Sequence, residues 1–387
     1  MSSSFIISVL LIATLTLSGC TAINIPTNIA ANDQPIPAIE TGASTSDSDA
    51  PVSSDKGDKA VGDNPIKEQS VQLIPLAGPL ATRDAEISAM AWYGDQLVLV
   101  PQFPSKFANS LYTLTRSDIK AFLDGTLAGP LTPAPIPLDA GNLGQEIYRY
   151  QGFEAITFVG DRVFLTIEAG GLNETISYLV GGTIAPDLSE IVLDTENVAQ
   201  ILPQAAMGNT GDETLVADGE RLLTIYEANG VNVNTLPIAH VFGLDLSEQG
   251  VTRFPNIEYR ITDATAVDGA GNFWAINYFF PGDQEKYQPF TPEPLRTQFG
   301  AGPSHEVLIT VERLVEFHIG EEGIVLTENA PIQLALIGGN MVLLGQPVGD
   351  QIARNWEGIV RLDDRGFLLV TDKFPETLLG FVPYNRR

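Results

Sequence analysis

The chain has 387 residues, 48 acidic and 21 basic side chains, a formal charge of −27 at pH 7 and a single cysteine. That charge excludes nucleic acid and anionic lipid head groups as partners. One Cys leaves no internal disulfide, so stability has to come from an apolar core.

At the N-terminus, Phe5 to Leu17 form an apolar run, too short for a bilayer span of about 20 residues. Leu17-Ser18-Gly19-Cys20 follows and resembles the lipobox of bacterial lipoproteins, although the leader carries no Lys or Arg. The resemblance implies a signal peptide over 1–19, cleavage before Cys20, a lipid on its sulfur and an extracytoplasmic location, with the membrane met only through that lipid. Residues 20–70 are rich in Ser, Thr, Asp, Pro, Ala and Gly and nearly free of aromatics. Such a stretch buries too little apolar surface to offset its ordering entropy and reads as a tether. Residues 71–387 form the folded domain, expected to be a monomer.

From 71 onward short β-branched and aromatic runs are broken by Gly-Asp and Asp-Gly turns. Arg116 to Leu123 alone has a helical period. One hairpin pattern recurs five times, with members that include Ile87-Ser-Ala-Met-Ala-Trp-Tyr-Gly-Asp, Phe153-Glu-Ala-Ile-Thr-Phe-Val-Gly-Asp and Trp356-Glu-Gly-Ile-Val-Arg-Leu-Asp-Asp. The other two begin at Asp212 and Thr262. A looser pair of strands follows each of the first four hairpins: Ala239 to Leu246 with Ile257 to Ile261 in the third unit, Val311 to Ile319 with Ile332 to Ile337 in the fourth. The fifth unit lacks an outer strand, which Val71-Gln-Leu-Ile-Pro-Leu can supply. This pattern predicts an all-β fold, a five-bladed β-propeller closed by an N-terminal strand. Uneven spacing leaves room for a sixth blade within 280–350.

One column of the repeat is polar in every unit: Ser88, Glu154, Glu213, Asp263 and Glu357. The next is small: Ala89, Ala155, Thr214, Ala264 and Gly358. Inner strands of a propeller line its axis, so the polar column predicts a ring. Carboxylates converging there require either raised pKa values or a cation. Oxygen donors without Cys or His point to Ca²⁺ as the cofactor. A second column, Gln102, Glu168, Glu227, Asn277 and Asp372, falls at the same end of each hairpin, where a ligand pocket is expected. The first column is similar to the ring of the five-bladed calcium-activated nucleotidases, or apyrases, with Asp in place of a Ser in the fourth blade. Phe-Glu-Ala-Ile at 153 and Trp-Glu-Gly-Ile at 356 are similar to openings of phytase-like esterase domains.

The resemblance implies metal-assisted hydrolysis of a small-molecule phosphoester or carboxylic ester, with Glu168 or Glu227 as base. Gln102, Asn277, Asp372, Arg260, Arg354 and Lys373 are the expected ligand-binding residues, a thin supply of positive charge for a phosphate. No Gly-x-Ser-x-Gly elbow, phosphate loop or zinc motif is present. The alternative is a non-catalytic propeller that binds a small molecule or protein and uses Ca²⁺ only structurally. In either case Phe279, Phe280, Tyr287 and Phe290, around the insertion at 280–305, are expected to form a binding lip.

Overall fold

A computed structural model describes residues 66–171, 174–336 and 353–384, all within one compact unit, Ala60–Arg387. The expected signal peptide, Cys20 and most of the expected tether lie outside the described residues. Among the described residues no helix is long and apolar enough to cross a membrane.

The fold is a β-propeller. Its innermost strands are Ile87–Tyr93, Tyr150–Val159, Asp212–Asp218, Arg260–Ala264 and Trp356–Leu362. Each begins an antiparallel four-stranded meander, and among the described residues there are five of these. The first two join at their outer edges through a short parallel pairing of Leu138–Asp139 with Ile191–Val192. The proposed sixth blade falls partly on 337–352, outside the described residues; the described part of 280–350 belongs to the fourth meander and its insertion.

Neighbouring meanders pack face to face, so each sheet is covered on both sides. This is why strands such as Gln96–Pro101 (QLVLVP) and Gly366–Thr371 (GFLLVT) read as continuous apolar runs instead of alternating. Five apolar clusters fill the gaps in cyclic order. Val98 and Leu165 represent the cluster between the first and second meanders, and Phe164 and Leu222 the next. Ile225 and Phe273 follow, then Trp274 and Phe367. Leu99 and Leu368 complete the circuit from fifth back to first.

Turn chemistry sets the hairpins. Gly94, Gly160 and Gly219 open two-residue turns with φ of +56°, +59° and +63°, the left-handed region that hairpin turns favour. Asp363 takes the corresponding place in the fifth with φ +51°. The helix at Arg116–Leu123 forms as expected, capped by the Thr115 hydroxyl, which accepts from the Asp118 amide at 3.0 Å.

Ring closure also follows the sequence pattern. Gln72–Ile74 pairs with Leu379–Phe381 as the outer strand of the fifth meander. Just before it, Gln69 exchanges backbone bonds with Gln333 and Ala335 (both 2.8 Å). Glu68 accepts from the Ser304 and His305 amides and contacts the His305 ring at 2.9 Å.

Two outer strands differ from expectation. In the third meander the outer strand is Glu248–Arg253, and Ile257–Ile261 instead leads into the fourth inner strand. A tight turn accounts for the difference: Leu246 sits at φ +62° and Asp245 accepts from the Ser247 amide at 3.0 Å, folding the chain back early. In the fourth the outer strand is Gly323–Leu326, while Ile332–Gln333 pairs at the opposite end of Val311–Gly320. Gly323 permits this at φ +130°; a Cβ there would lie 2.9 Å from the Arg253 carbonyl oxygen.

Candidate active site

The polar column owes its direction to backbone irregularity. In all five inner hairpins the pairing register shifts at this position: between Ile87 and Ala89, Phe153 and Ala155, Asp212 and Thr214, Ile261 and Ala264, Trp356 and Gly358. Each shift is a β-bulge, which leaves its residue out of the ladder and re-aims the side chain. The small column serves the same crowding. A Cβ at Gly358 would come within 3.3 Å of the Ala89 carbonyl carbon in the adjacent meander.

These side chains converge on one end of the axis, on a cleft of about 710 Å³ lined by Ser88, Gln102, Glu154, Glu168, Glu213, Arg260, Asn355, Glu357, Asp372 and Lys373. Arg83, Asn209, Tyr278, Phe280, Asp283, Ala353, Phe374 and Pro375 complete its wall.

At its heart is Arg260, the first residue of the fourth inner strand. Its Nε bonds Glu227, its Nη2 lies 3.4 Å from Glu213 and 3.2 Å from Glu357, and its Nη1 donates to Asn355 at 3.0 Å. The Tyr278 ring lies 5.6 Å from the guanidinium carbon. Burial disfavours the guanidinium charge, but Glu227, Glu357 and Glu213 together hold it protonated.

One cation does not neutralise so many carboxyls. Glu168 is pushed up to about 7 by burial and then by the charge of Glu227, with Arg260 and Lys286 pulling the other way. Glu357 rises to about 8, burial outweighing the opposing pull of Arg260. Glu154 and Glu213 rise well above the carboxylate range, again through burial first and neighbouring carboxylates second. Asp372 is raised by burial, offset by the Phe374 amide, which donates to it at 2.8 Å.

The polar partners are mostly fixed. Ser88 donates to the Phe153 carbonyl at 2.5 Å, Gln102 to Glu154 at 2.7 Å, and the Ile359 amide to Asp263 at 2.8 Å. Glu227 is fully buried, held by Arg260 and by the Tyr287 hydroxyl at 2.8 Å. Among the described residues Glu168 Oε1 and Glu227 Oε2 are buried oxygens without a hydrogen-bond partner.

The structure therefore brings Ser88, Glu154, Glu213, Glu357, Gln102, Glu168, Asp372, Arg260 and Lys373 to one cleft. Asp263 and Glu227 lie behind its wall. Asn277 and Arg354 are committed elsewhere. Asn277 donates to the Glu258 and Arg260 carbonyls and accepts from Arg313 at 2.7 Å. Arg354 forms a buried ion pair with Glu312 at 2.7 Å. Of the expected lip, Phe280 lines the cleft and Phe290 is exposed, while Phe279 and Tyr287 are buried. Sequence reasoning missed Asn355, which occurs once and has no counterpart in the other units, and it placed Tyr287 in the lip where the structure buries it against Glu227.

The expected calcium ring can be tested on its donors. Glu213 and Glu357 contact Arg260, and Ser88, Glu154 and Asp263 each have a protein partner. Among the described residues no three acidic, His or Cys side chains are grouped to hold a metal ion. The oxygens of the expected ring are thus already engaged by protein partners.

No family model matches this chain, and no curated protein matches it. Among solved structures it is similar to a mutant α-L-arabinanase from Cellvibrio cellulosa (9% identity, TM-score 0.41, covering 76% of this chain and 90% of that one). It is also similar to an α-L-arabinofuranosidase from Podospora anserina (10%, 0.42, 82% and 97%). A third likeness is to a bifunctional GH43-CE protein from Bacteroides eggerthii (10%, 0.40), of which the chain spans 35% while 82% of this chain is covered. At these identities and scores the likeness is one of shape, and no statement about activity rests on it.

Proposed function

We propose that the axial cleft is the active site of a hydrolase that cleaves an uncharged ester or acetal bond by carboxyl acid–base chemistry. The observation that carries this reading is Glu168: a buried carboxyl on the cleft wall, with one oxygen unpartnered and its proton retained to about pH 7. Such a group is a proton donor at neutral pH.

Asp372 supplies the complementary role. It lines the same cleft, and the Phe374 amide, donating to its carboxylate, offsets part of the rise that burial causes. In the proposed step Asp372 accepts a proton from water as the water oxygen attacks the substrate. Glu168 gives its proton to the departing oxygen, so a bond to water forms, the ester or acetal bond breaks, and both products leave neutral. Glu227, expected from sequence as a base, is instead held behind the cleft wall by Arg260 and the Tyr287 hydroxyl. Arg260 stays with its carboxylates. The same charge distribution disfavours a phosphoester, because the floor is acidic and the cleft-lining Lys373 is paired with Glu86 at 3.1 Å.

A panel of p-nitrophenyl carboxylic esters, glycosides and phosphates tests the assignment. Turnover is expected for an uncharged class, falling above about pH 7 as Glu168 loses its proton. Glu168→Gln is expected to lower kcat by about 10²–10⁴-fold with the fold intact. Turnover of phosphates alone, or a variant within threefold of the parent, overturns the reading; no turnover of any class leaves a binding propeller.

A second part of the proposal concerns location. The Leu-Ser-Gly-Cys run at 17–20 supports an extracytoplasmic protein held to a bacterial membrane by a lipid on Cys20.

A further inference from the structure

We propose that Arg260 is the resident axial cation of this propeller and that its guanidinium takes the role the sequence pattern assigns to a metal ion. Convergent carboxylates need a positive charge between them, and here one is covalently built into the fourth inner strand. It reaches Glu213 and Glu227 from the third meander and Glu357 and Asn355 from the fifth. Arg260 thus ties three consecutive meanders at the axis, the structural task a central dication would perform.

The geometry explains why the acidic column persists without closing into a metal site. A planar fork with several fixed donors satisfies carboxylates lying in different directions. Each carboxylate oxygen given to the guanidinium is withdrawn from the set a dication needs. A Ca²⁺ ion takes six to eight oxygens; with Arg260 in place, those of Glu213, Glu227 and Glu357 are only partly free. A dication placed among them would also lie against the guanidinium charge.

Removing the guanidinium leaves three buried carboxylates facing one another, with two outcomes. The ring loses stability, because buried charge is left uncompensated. It also becomes a set of convergent hard oxygen donors, a site for a divalent cation that the parent does not have.

Calcium titration calorimetry, with melting curves in millimolar CaCl₂ and in EDTA, tests this on the full chain and on Arg260→Gln. The parent is expected to show no binding heat and a Tm that calcium and chelator leave unchanged. Arg260→Gln is expected to melt well below the parent in EDTA and to recover with calcium. Arg260→Lys, which keeps a positive charge, guards against a glutamine variant that fails to fold, and is expected to fold without responding to calcium. A calcium-dependent rise in the parent's Tm overturns the proposal, as does an Arg260→Gln protein as stable as the parent in EDTA. Because the readouts are binding and melting, failure here is separable from failure of the hydrolytic assignment.

Discussion

Glu168 shows how one residue links burial to pH. Its ordinary pKa of 4.5 rises to about 7 in the folded chain. Below about 4.5 it is protonated in both states, so its full contribution to stability is present there. Between about 4.5 and 7 the unfolded chain releases a proton that the folded chain retains. Stability therefore falls as pH rises through this window, and the loss levels off above it. For this residue the loss is on the order of 3 kcal/mol. Glu154, Glu213 and Glu357, raised in the same direction, add to it. Melting curves at pH 5 and pH 8 are expected to show a Tm several degrees lower at the higher pH, with a smaller difference in Glu168→Gln. Equal pH dependence in the two proteins contradicts this account.

At the scale of the element, the hairpins were legible because Gly-Asp turns and β-branched runs recur at a fixed offset from a polar residue. The same offset marks each β-bulge, although no single strand announces one; the bulge becomes visible only when the units are aligned. Alignment also sets the boundary of what can be read. Asn355 lines the cleft as a single occurrence, and the contacts of Arg260 and Tyr287 with Glu227 are likewise unrepeated, so a column comparison has no basis for predicting those partners. Asn277 stands in phase with Glu168 and Glu227, yet Arg313, from a neighbouring strand, draws its carbonyl away. The outer strand of the third meander was misplaced because it is poor in apolar residues, Glu248–Arg253 reading EQGVTR, and that of the fourth because it is only four residues long, Gly323–Leu326. An outer strand has few partners, and its position is decided by turns such as that at Asp245.

For the molecule as a whole, closure depends on residues distant in sequence. Glu68 and Gln69, within the stretch read as tether, dock on Ser304, His305 and Gln333, and Gln72–Ile74 completes the fifth sheet. Glu68 and Gln69 thus sit at the seam that closes the ring. About fifty residues separate Cys20 from Glu68 in the sequence. In a bacterial host fed an alkyne-labelled palmitate, the full chain is expected to incorporate label and sediment with membranes. Cys20→Ser is expected to lose both, and an unlabelled parent contradicts the anchor.

The central claim is that the axial cleft keeps a carboxyl protonated at neutral pH. Carbon-13 NMR titration of the side-chain carboxyl carbons, with Glu168 assigned by its Gln variant, measures this directly. The account predicts a Glu168 transition near pH 7, well separated from the exposed carboxyls; a Glu168 that titrates with them near its ordinary 4.5 would contradict it.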